Sequence, residues 1–478
     1  MNETASIAPS PTPTVTHVVP LRQKMAWGAG GATDNLLTNG LGMLALPIYN
    51  IGLGLSPVWL GYAMALPRLL DALIDPFIGN WSDNTRSRWG RRRPFLFVGA
   101  ILCGLFFALV WLPPIHASHG VIFTWFLATS SLLFIGYAFY SIPYSALGYE
   151  LTNDYHDRTR VMAWRMYFAY GGGLLMPWLY KLSFLPIFGG NEIVGVRYVG
   201  GITAVIILLT GLAPAFFCRE RPEAQKQAPI PLREAIALTV SNKPFTILVA
   251  AVFVVLVGLL LSTPFMTYVN IYYVAGGDKS FGATLNGWYG TSQQLLGLAS
   301  IPVITTLGKR YDKRQIMMTG LSMAACGFFL NWFLITPKHP YLQLIPTILI
   351  FPGLSCVWLL FGSALADVCD TDELISGRRR EGMFGAAFAL VFKVGAAVVT
   401  GLSGYMLLWS GYQENVSLQS TETLFRMRLA YIIVPTCLLA VAALLVWRFP
   451  ITRASAALVR AELDARHAAA GTNAPASA

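Results

Sequence analysis

The sequence predicts an all-α membrane protein with twelve transmembrane helices in two six-helix halves. Three observations carry this. Apolar residues make up 55% of the 478-residue chain and charged residues only 12%, against roughly a quarter charged in an ordinary soluble domain. The apolar residues come in continuous runs, which fits helices and argues against a β-barrel. Between the polar ends, the remaining length holds about twelve spans at about 20 residues per crossing plus a loop. With a mean hydropathy of +0.56, a soluble enzyme, a disordered chain and a fibrous one are excluded.

Residues 1–20 are rich in Pro, Ser and Thr and have no charged start ahead of an apolar core. They read as a disordered tail extending to residue 23, and not as a signal peptide. Apolar spans follow at 25–50, 57–81, 95–113, 121–149, 161–186 and 196–218, a first half over 24–218. Residues 219–243 are the longest internal polar stretch and read as a cytoplasmic linker. Spans at 244–275, 283–307, 315–336, 342–368, 382–410 and 424–449 make a second half over 244–450. The tail 451–478 has room for a short amphipathic helix over 451–468.

Most of the 34 Lys and Arg residues fall at the chain ends and in the even-numbered loops. This places both termini in the cytoplasm of a multi-pass inner (plasma) membrane protein. The net charge of +11 reflects that bias toward anionic lipid and is no sign of nucleic-acid binding. A weak repeat relates the halves. Span 1 ends LPIYNIGLG (46–54) and span 7 ends YVNIYYVAGG (268–277); each precedes a span leading to a basic loop, SDNTRSRWGRRR (82–93) and GKRYDKR (308–314). Two such halves are the layout of many secondary transporters, with the site at the midplane between them.

The six Cys are scattered without a CxxC pair and are expected as small buried hydrophobes. The six His lie outside the apolar runs and there is no GxxxxGK[ST]. No metal, cofactor or ATP-driven step is expected, and no obligate protein partner is evident.

A charge near the bilayer centre costs on the order of 3 kcal/mol, so each one inside a span needs a reason. Asp34 lies roughly 15 Å into span 1 and Lys393 roughly 16 Å into span 11. Arg68, Asp71 and Asp75 stand at i, i+3 and i+7 on one face of span 2. Two carboxylates one turn apart hold a proton or a cation between them, or form an internal ion pair that stabilises the span. Asp34 and Lys393, from opposite halves, could meet across a central cavity. Arg165 is close enough to the cytoplasmic edge to snorkel. Aromatics cluster in spans 4, 5 and 7, where they serve as sugar-stacking faces or as packing and interfacial belts. The glycines at 171–173 and the GLSG at 401–404 permit close helix contact or local unwinding.

The run RLLDALIDPFIGNWSDNTRSRWGRRRPF (68–95) resembles the span 2 signature of the glycoside–pentoside–hexuronide cation symporters, the melibiose permease-like branch of the major facilitator superfamily. SIPYSALGYELTNDYHDRTRVMAWRMYFA (141–169) resembles its span 4–5 segment, and ALADVCDTDELISGRRREGMFGAAFALVFKVGAAV (364–398) its span 10–11 signature. The resemblance implies that Asp71 and Asp75 bind the coupling cation and that Asp34, Arg165 and Lys393, with Ser141 at the place of a sugar-binding group, contact substrate. It also implies that Asp367, Asp370, Arg378, Arg379, Arg380 and Glu381 join a cytoplasmic charge network locking the outward-facing state. The chain departs from melibiose carriers at Ser141, where they have a sugar-binding aspartate, and at Ser145, where they have a tryptophan. Ile74 and Ala138 stand where they have further polar cation-site groups. Loss of neutral oxygen ligands disfavours Na⁺ and favours H⁺. The expected function is therefore not enzymatic. It is cation-coupled symport of a small substrate, a glycoside or related sugar, by alternating access. A carrier of lysolipids or other amphiphiles and a membrane-embedded transferase are the alternatives.

Overall fold

The computed structural model describes residues 19–152, 155–220, 242–377, 381–414, 416 and 418–472. The tail 1–18, most of the linker and Arg378–Arg380 lie outside them. Thirteen long helices occur among the described residues: α1 (Leu21–Ala45), α2 (Pro57–Asn84), α3 (Arg93–Val110), α4 (His119–Glu150), α5 (Tyr155–Leu175), α6 (Glu192–Phe217), α7 (Lys243–Tyr268), α8 (Lys279–Gly308), α9 (Lys313–Leu334), α10 (Thr347–Ser376), α11 (Glu381–Trp409), α12 (Thr421–Trp447) and α13 (Arg453–Thr472). In lipid every backbone polar group must be paired within the segment, so long apolar runs become helices. Eight of these helices, α3, α4, α6, α7 and α9–α12, are long and apolar enough to cross a membrane. The first twelve were all expected to be. Four fall short, α1, α2, α5 and α8, and the first three of these carry Asp34, the Arg68–Asp71–Asp75 face and Arg165.

The weak sequence repeat has a structural counterpart. α1 runs on through a π-turn at Leu46–Gly52, and α7 through another at Val269–Val274. α2 tolerates an internal Pro67, which removes the amide that would bond the Ala63 carbonyl. Ser130 of α4 donates to that carbonyl instead, at 3.4 Å. Two boundaries differ from expectation. α5 begins at Tyr155 rather than 161, and α10 continues to Ser376 rather than stopping at 368. Hydropathy marks where a helix leaves lipid, not where it ends. DVCDTDELIS is polar but still forms helix, until Gly377 turns left-handed at φ 66° and donates its N–H to the Glu373 carbonyl at 2.8 Å.

α1 packs on α5 and α6, α3 on α4 and α6, and α2 on α4. In the second group α7 packs on α11 and α12, α9 on α10 and α12, and α8 on α10. The groups meet where α2 lies along α11 and where α5, with the turn after it at Met176–Trp178, meets α8. α2 and α11 touch backbone to backbone near the π-turn end. A Cβ on Gly404 would sit 2.3 Å from the Pro57 carbonyl oxygen. On that face, opposite the chain ends, a set of polar contacts also joins the groups. The Tyr268 hydroxyl donates to Asn50 Oδ1 at 2.5 Å, and Lys279 Nζ to Glu192 Oε1 at 2.7 Å. Trp178 Nε1 donates to Thr291 Oγ1 at 2.9 Å, Lys181 Nζ bonds Ser280 Oγ at 2.7 Å, and the Tyr62 and Tyr405 hydroxyls meet.

On the chain-end face, α13 lies against α10, and Arg453 donates its amide to Asp312 Oδ1 at 3.0 Å. Four cysteines are buried as expected, but Cys326 and Cys437 are exposed. Each lies on a face of its helix that no other helix covers. The start of α1 is clamped to the start of α5: Asp157 accepts from the Val19 amide at 2.8 Å and from Lys24 Nζ, all three residues being buried. Burial alone would raise the Asp157 carboxyl. The hydrogen bonds from Lys24 and Val19 outweigh it and hold the group below the usual carboxylate range. Its contribution to stability is therefore present above about pH 4 and is lost as pH falls through the lower folded value. Asp157→Asn leaves Lys24 buried without its counter-charge, at about 3–5 kcal/mol. It is expected to lower the apparent melting temperature of the purified protein at pH 7, and the gap to wild type is expected to close on acidification. An unchanged gap at low pH would deny the charge its role.

Candidate functional site

Asp71 and Asp75 stand one turn apart on α2, and Lys393 of α11 reaches across the contact between the two helix groups to both. Its Nζ donates to Asp71 Oδ2 at 2.9 Å and also to Asp75 Oδ2. The other oxygen of each carboxylate, Oδ1, is buried without a hydrogen-bond partner. Two carboxylates and one ammonium carry a formal excess of one negative charge in a poorly solvated place, with the Arg68 guanidinium one turn before Asp71 on the same face. Asp71 is the more enclosed, its side chain 6% exposed against 24% for Asp75.

A second cluster forms where α1 meets α5. The helices approach closely because α1 has glycine at the crossing: a Cβ on Gly31 would lie 2.7 Å from the Arg165 carbonyl oxygen. One turn on, Asp34 Oδ2 accepts from Arg165 Nη2 at 2.9 Å, and Asp34 Oδ1 accepts from the Tyr137 hydroxyl of α4 at 2.8 Å. The Arg165 guanidinium also faces the Tyr144 ring at 5.7 Å.

A polar path connects the clusters. Arg68, one turn before Asp71 on the same face, donates from Nη2 to the Thr38 carbonyl at 3.4 Å. The Thr38 hydroxyl lies 3.3 Å from that of Tyr137 and donates to the Asp34 carbonyl at 2.6 Å. The order Asp75, Lys393, Asp71, Arg68, Thr38, Tyr137, Asp34, Arg165 thus lies within the first helix group, except for Lys393, which the second group supplies.

Spacing alone placed Asp71 and Asp75 together, and the structure does so. Asp34 and Lys393 do not meet: each is engaged by its own partners, so Lys393 serves the carboxylate pair and not the Asp34 cluster. Arg165 does not snorkel. It sits ten residues into α5, about 15 Å, and points at Asp34. Ser141 is half-buried on α4, one turn from Tyr137. Lys313 Nζ donates to Asp367 Oδ2 at 2.6 Å, within the second helix group. Asp370 follows on α10, and the Glu381 side chain lies with Arg378–Arg380 outside what is described. Among the aromatics, Tyr140 and Tyr144 are fully buried and stack 5.4 Å apart against α1; Tyr137 bonds Asp34 through its hydroxyl, and Tyr144 meets Arg165 through its ring. Thr38 was not anticipated; a threonine one turn from an intramembrane aspartate was the available signal. Ile74 packs beside Ile78, Phe95 and Ala138 in a small apolar cluster of its own.

The pattern of charged helices around a two-group contact is that of a carrier, and comparison with known proteins agrees. A family model described as MFS/sugar transport protein matches residues 26–453. The chain belongs to that family. It is 26% identical to the inner membrane symporter YicJ of Escherichia coli (strain K12), over 91% of this chain and 92% of that protein. It is 23% identical to the isoprimeverose transporter of Lactiplantibacillus pentosus, over 95% of this chain and 93% of that one. Its structure superposes on the crystal structure of a D-xylose-proton symporter with a TM-score of 0.61 at 15% identity, covering 90% and 97% of the two chains. The fold is thus that of the major facilitators. As a family member the chain is a cation-coupled symporter of the glycoside–pentoside–hexuronide type, a multi-pass membrane transporter and not an enzyme, and the membrane-embedded transferase is set aside.

Proposed function

We propose that this family member carries a glycoside or related sugar inward together with a proton, through twelve spanning helices α1–α12 in two halves, with both chain ends in the cytoplasm. The single observation that carries the ion assignment is Lys393 seated on Asp71 and Asp75, with one buried oxygen of each carboxylate unpartnered. The ammonium occupies the space a sodium ion would need. One further proton makes the trio neutral, whereas Na⁺ calls for several oxygens. The apolar cluster at Ile74 and Ala138 supplies no such oxygens. Asp75, the more accessible carboxyl and the nearer to the chain-end face, exchanges the proton, while Asp71 keeps Lys393 in place.

Asp34, Arg165 and Tyr137 form the proposed sugar site, with Ser141 and the neighbouring face of α4 beside it. Carboxylate, guanidinium and phenol bond the hydroxyls of a sugar once their mutual bonds are exchanged for bonds to it. The contacts on the face opposite the chain ends support reading this structure as the outward-closed member of the alternating pair. Asp367, Asp370, Arg378–Arg380 and Glu381 are proposed to close the other face in the outward-open member. The sugars named for the isoprimeverose and xylose relatives favour this substrate class over lysolipids.

The test is uptake of labelled glycosides into proteoliposomes under an imposed pH gradient or an imposed Na⁺ gradient. Counterflow against labelled lysolipid serves as the competing arm. Accumulation with the pH gradient alone, and alkalinisation outside on adding sugar, are expected. Uptake driven by Na⁺ and indifferent to pH would overturn the proton assignment, and lysolipid counterflow without sugar counterflow would overturn the substrate.

A further inference from the structure

α5 and α6 both pack on α1, which floors a groove between them. Two cavities lie beside α1, the first between α5 and α6 and the second between α1 and α6. One, about 340 Å³, is bounded by Leu36 of α1, Trp164, Phe168 and Gly171 of α5 and Ile206 of α6. The other, about 460 Å³, lies nearer the chain-end face, against Arg22 and Met25 of α1 and Phe217 of α6. Ala32 and Leu36 stand two residues either side of Asp34, so they project from the back of the helix whose front carries that carboxylate. The groove therefore opens sideways, away from the proposed sugar site.

Arg22 and Leu36 are 14 positions apart in the sequence, or about 21 Å along a helix. That is about half the roughly 40–45 Å of a bilayer with its headgroup regions, and so about one leaflet deep. The walls are almost wholly apolar, so they offer no partners for the backbone of a docked peptide, which cannot leave its polar groups unpaired in lipid. The mouth is cationic. The Arg22 guanidinium lies over the Phe217 ring at 4.5 Å and has no carboxylate partner among the described residues.

We infer that this lateral groove is a binding site for an anionic membrane phospholipid, with one acyl chain lying along α1 between α5 and α6 and the headgroup phosphate at Arg22. Gly171 borders the groove with room to spare: a Cβ placed there meets nothing within 4 Å, so a large side chain has space to enter. The groove also backs the α1–α5 contact that holds Asp34 against Arg165. The inference requires only that these helices lie in a bilayer and is independent of which sugar or ion is carried.

The experiment uses the full-length purified protein, delipidated in detergent and supplied with dioleoyl phosphatidylglycerol or dioleoyl phosphatidylcholine, with retained lipid counted by native mass spectrometry. Wild type is expected to retain one phosphatidylglycerol about fivefold better than phosphatidylcholine, the worth of a single basic side chain near a lipid surface. Arg22→Gln is expected to erase that preference and Arg22→Lys to keep it. Gly171→Phe is expected to cut retention of both lipids by filling the groove. Equal retention of the two lipids by wild type, or undiminished phosphatidylglycerol retention in both Arg22→Gln and Gly171→Phe, would overturn the site. Because no substrate is present, this result is separate from the transport assay above.

Discussion

Asp75→Asn is expected to abolish accumulation of sugar against a gradient while leaving the protein folded and able to exchange bound sugar. The substitution keeps shape and hydrogen bonding but removes one charge and the titration. Lys393 still has Asp71 at 2.9 Å, so its ammonium keeps a counter-charge. The excess negative charge that calls for a proton is gone, and with it the reason for sugar and proton to move together. Sugar-induced alkalinisation is expected to disappear in the same preparation, while sugar counterflow persists. Asp71→Asn is a different experiment. It opens the more enclosed side of the trio, and breaking a buried pair costs about 3–5 kcal/mol. It is expected to lower both stability and sugar binding. If Asp75→Asn still concentrates sugar, the pair is structural and the coupling site lies elsewhere.

Gly404→Val is expected to hold the carrier open on the face opposite the chain ends and so to stop turnover. Its Cβ would fall 2.3 Å from the Pro57 carbonyl oxygen and 2.9 Å from the Val58 Cα. Both are backbone atoms of α2 in the other helix group, which no side-chain rotation can move aside. Overpacking of this kind costs about 1–3 kcal/mol, roughly a 5- to 150-fold change in the ratio of two states. In the proposed cycle only the closed state contains the contact, so the whole cost falls on that state. Thiol labelling of a cysteine introduced at Asn39, which is exposed one turn beyond Asn35, is expected to speed up from the face opposite the chain ends. Gly201→Val, where an added Cβ meets nothing within 4 Å, is the control and is expected to transport normally. Normal transport by Gly404→Val would mean that α2 and α11 do not approach this closely during the cycle.

Much of the candidate site was legible because helix geometry is local. The i, i+3, i+7 spacing of Arg68, Asp71 and Asp75 settles their common face whatever surrounds the helix. The cost of a charge in lipid marks Asp34, Arg165 and Lys393 as purposeful for the same reason. Partnership was not legible. Lys393 was read as a substrate contact and Arg165 as a candidate for snorkelling, since neither spacing nor hydropathy says which helix lies opposite. The resemblance located the residues without supplying their pairing.

What the sequence by itself determined is the class of molecule: a chain too apolar for water, helical because lipid leaves its backbone no other partner, with acidic and basic groups at midplane depth that need a function. It also marked places where two helices could touch, at the glycines of α5 and α11, but not the glycine of α1 at the α1–α5 crossing. Tertiary structure decided the rest. Gly31 and Gly404 became crossings only because α5 and α2 lie against them. Lys393 met Asp71 and Asp75 across more than 300 residues of chain because α2 and α11 run side by side, and Asp34 found Tyr137 and Arg165 because α4 and α5 close on α1. A helix presents its faces by a rule of angles within one segment. Which faces meet depends on the packing of all the helices at once, and that exists only in the folded chain.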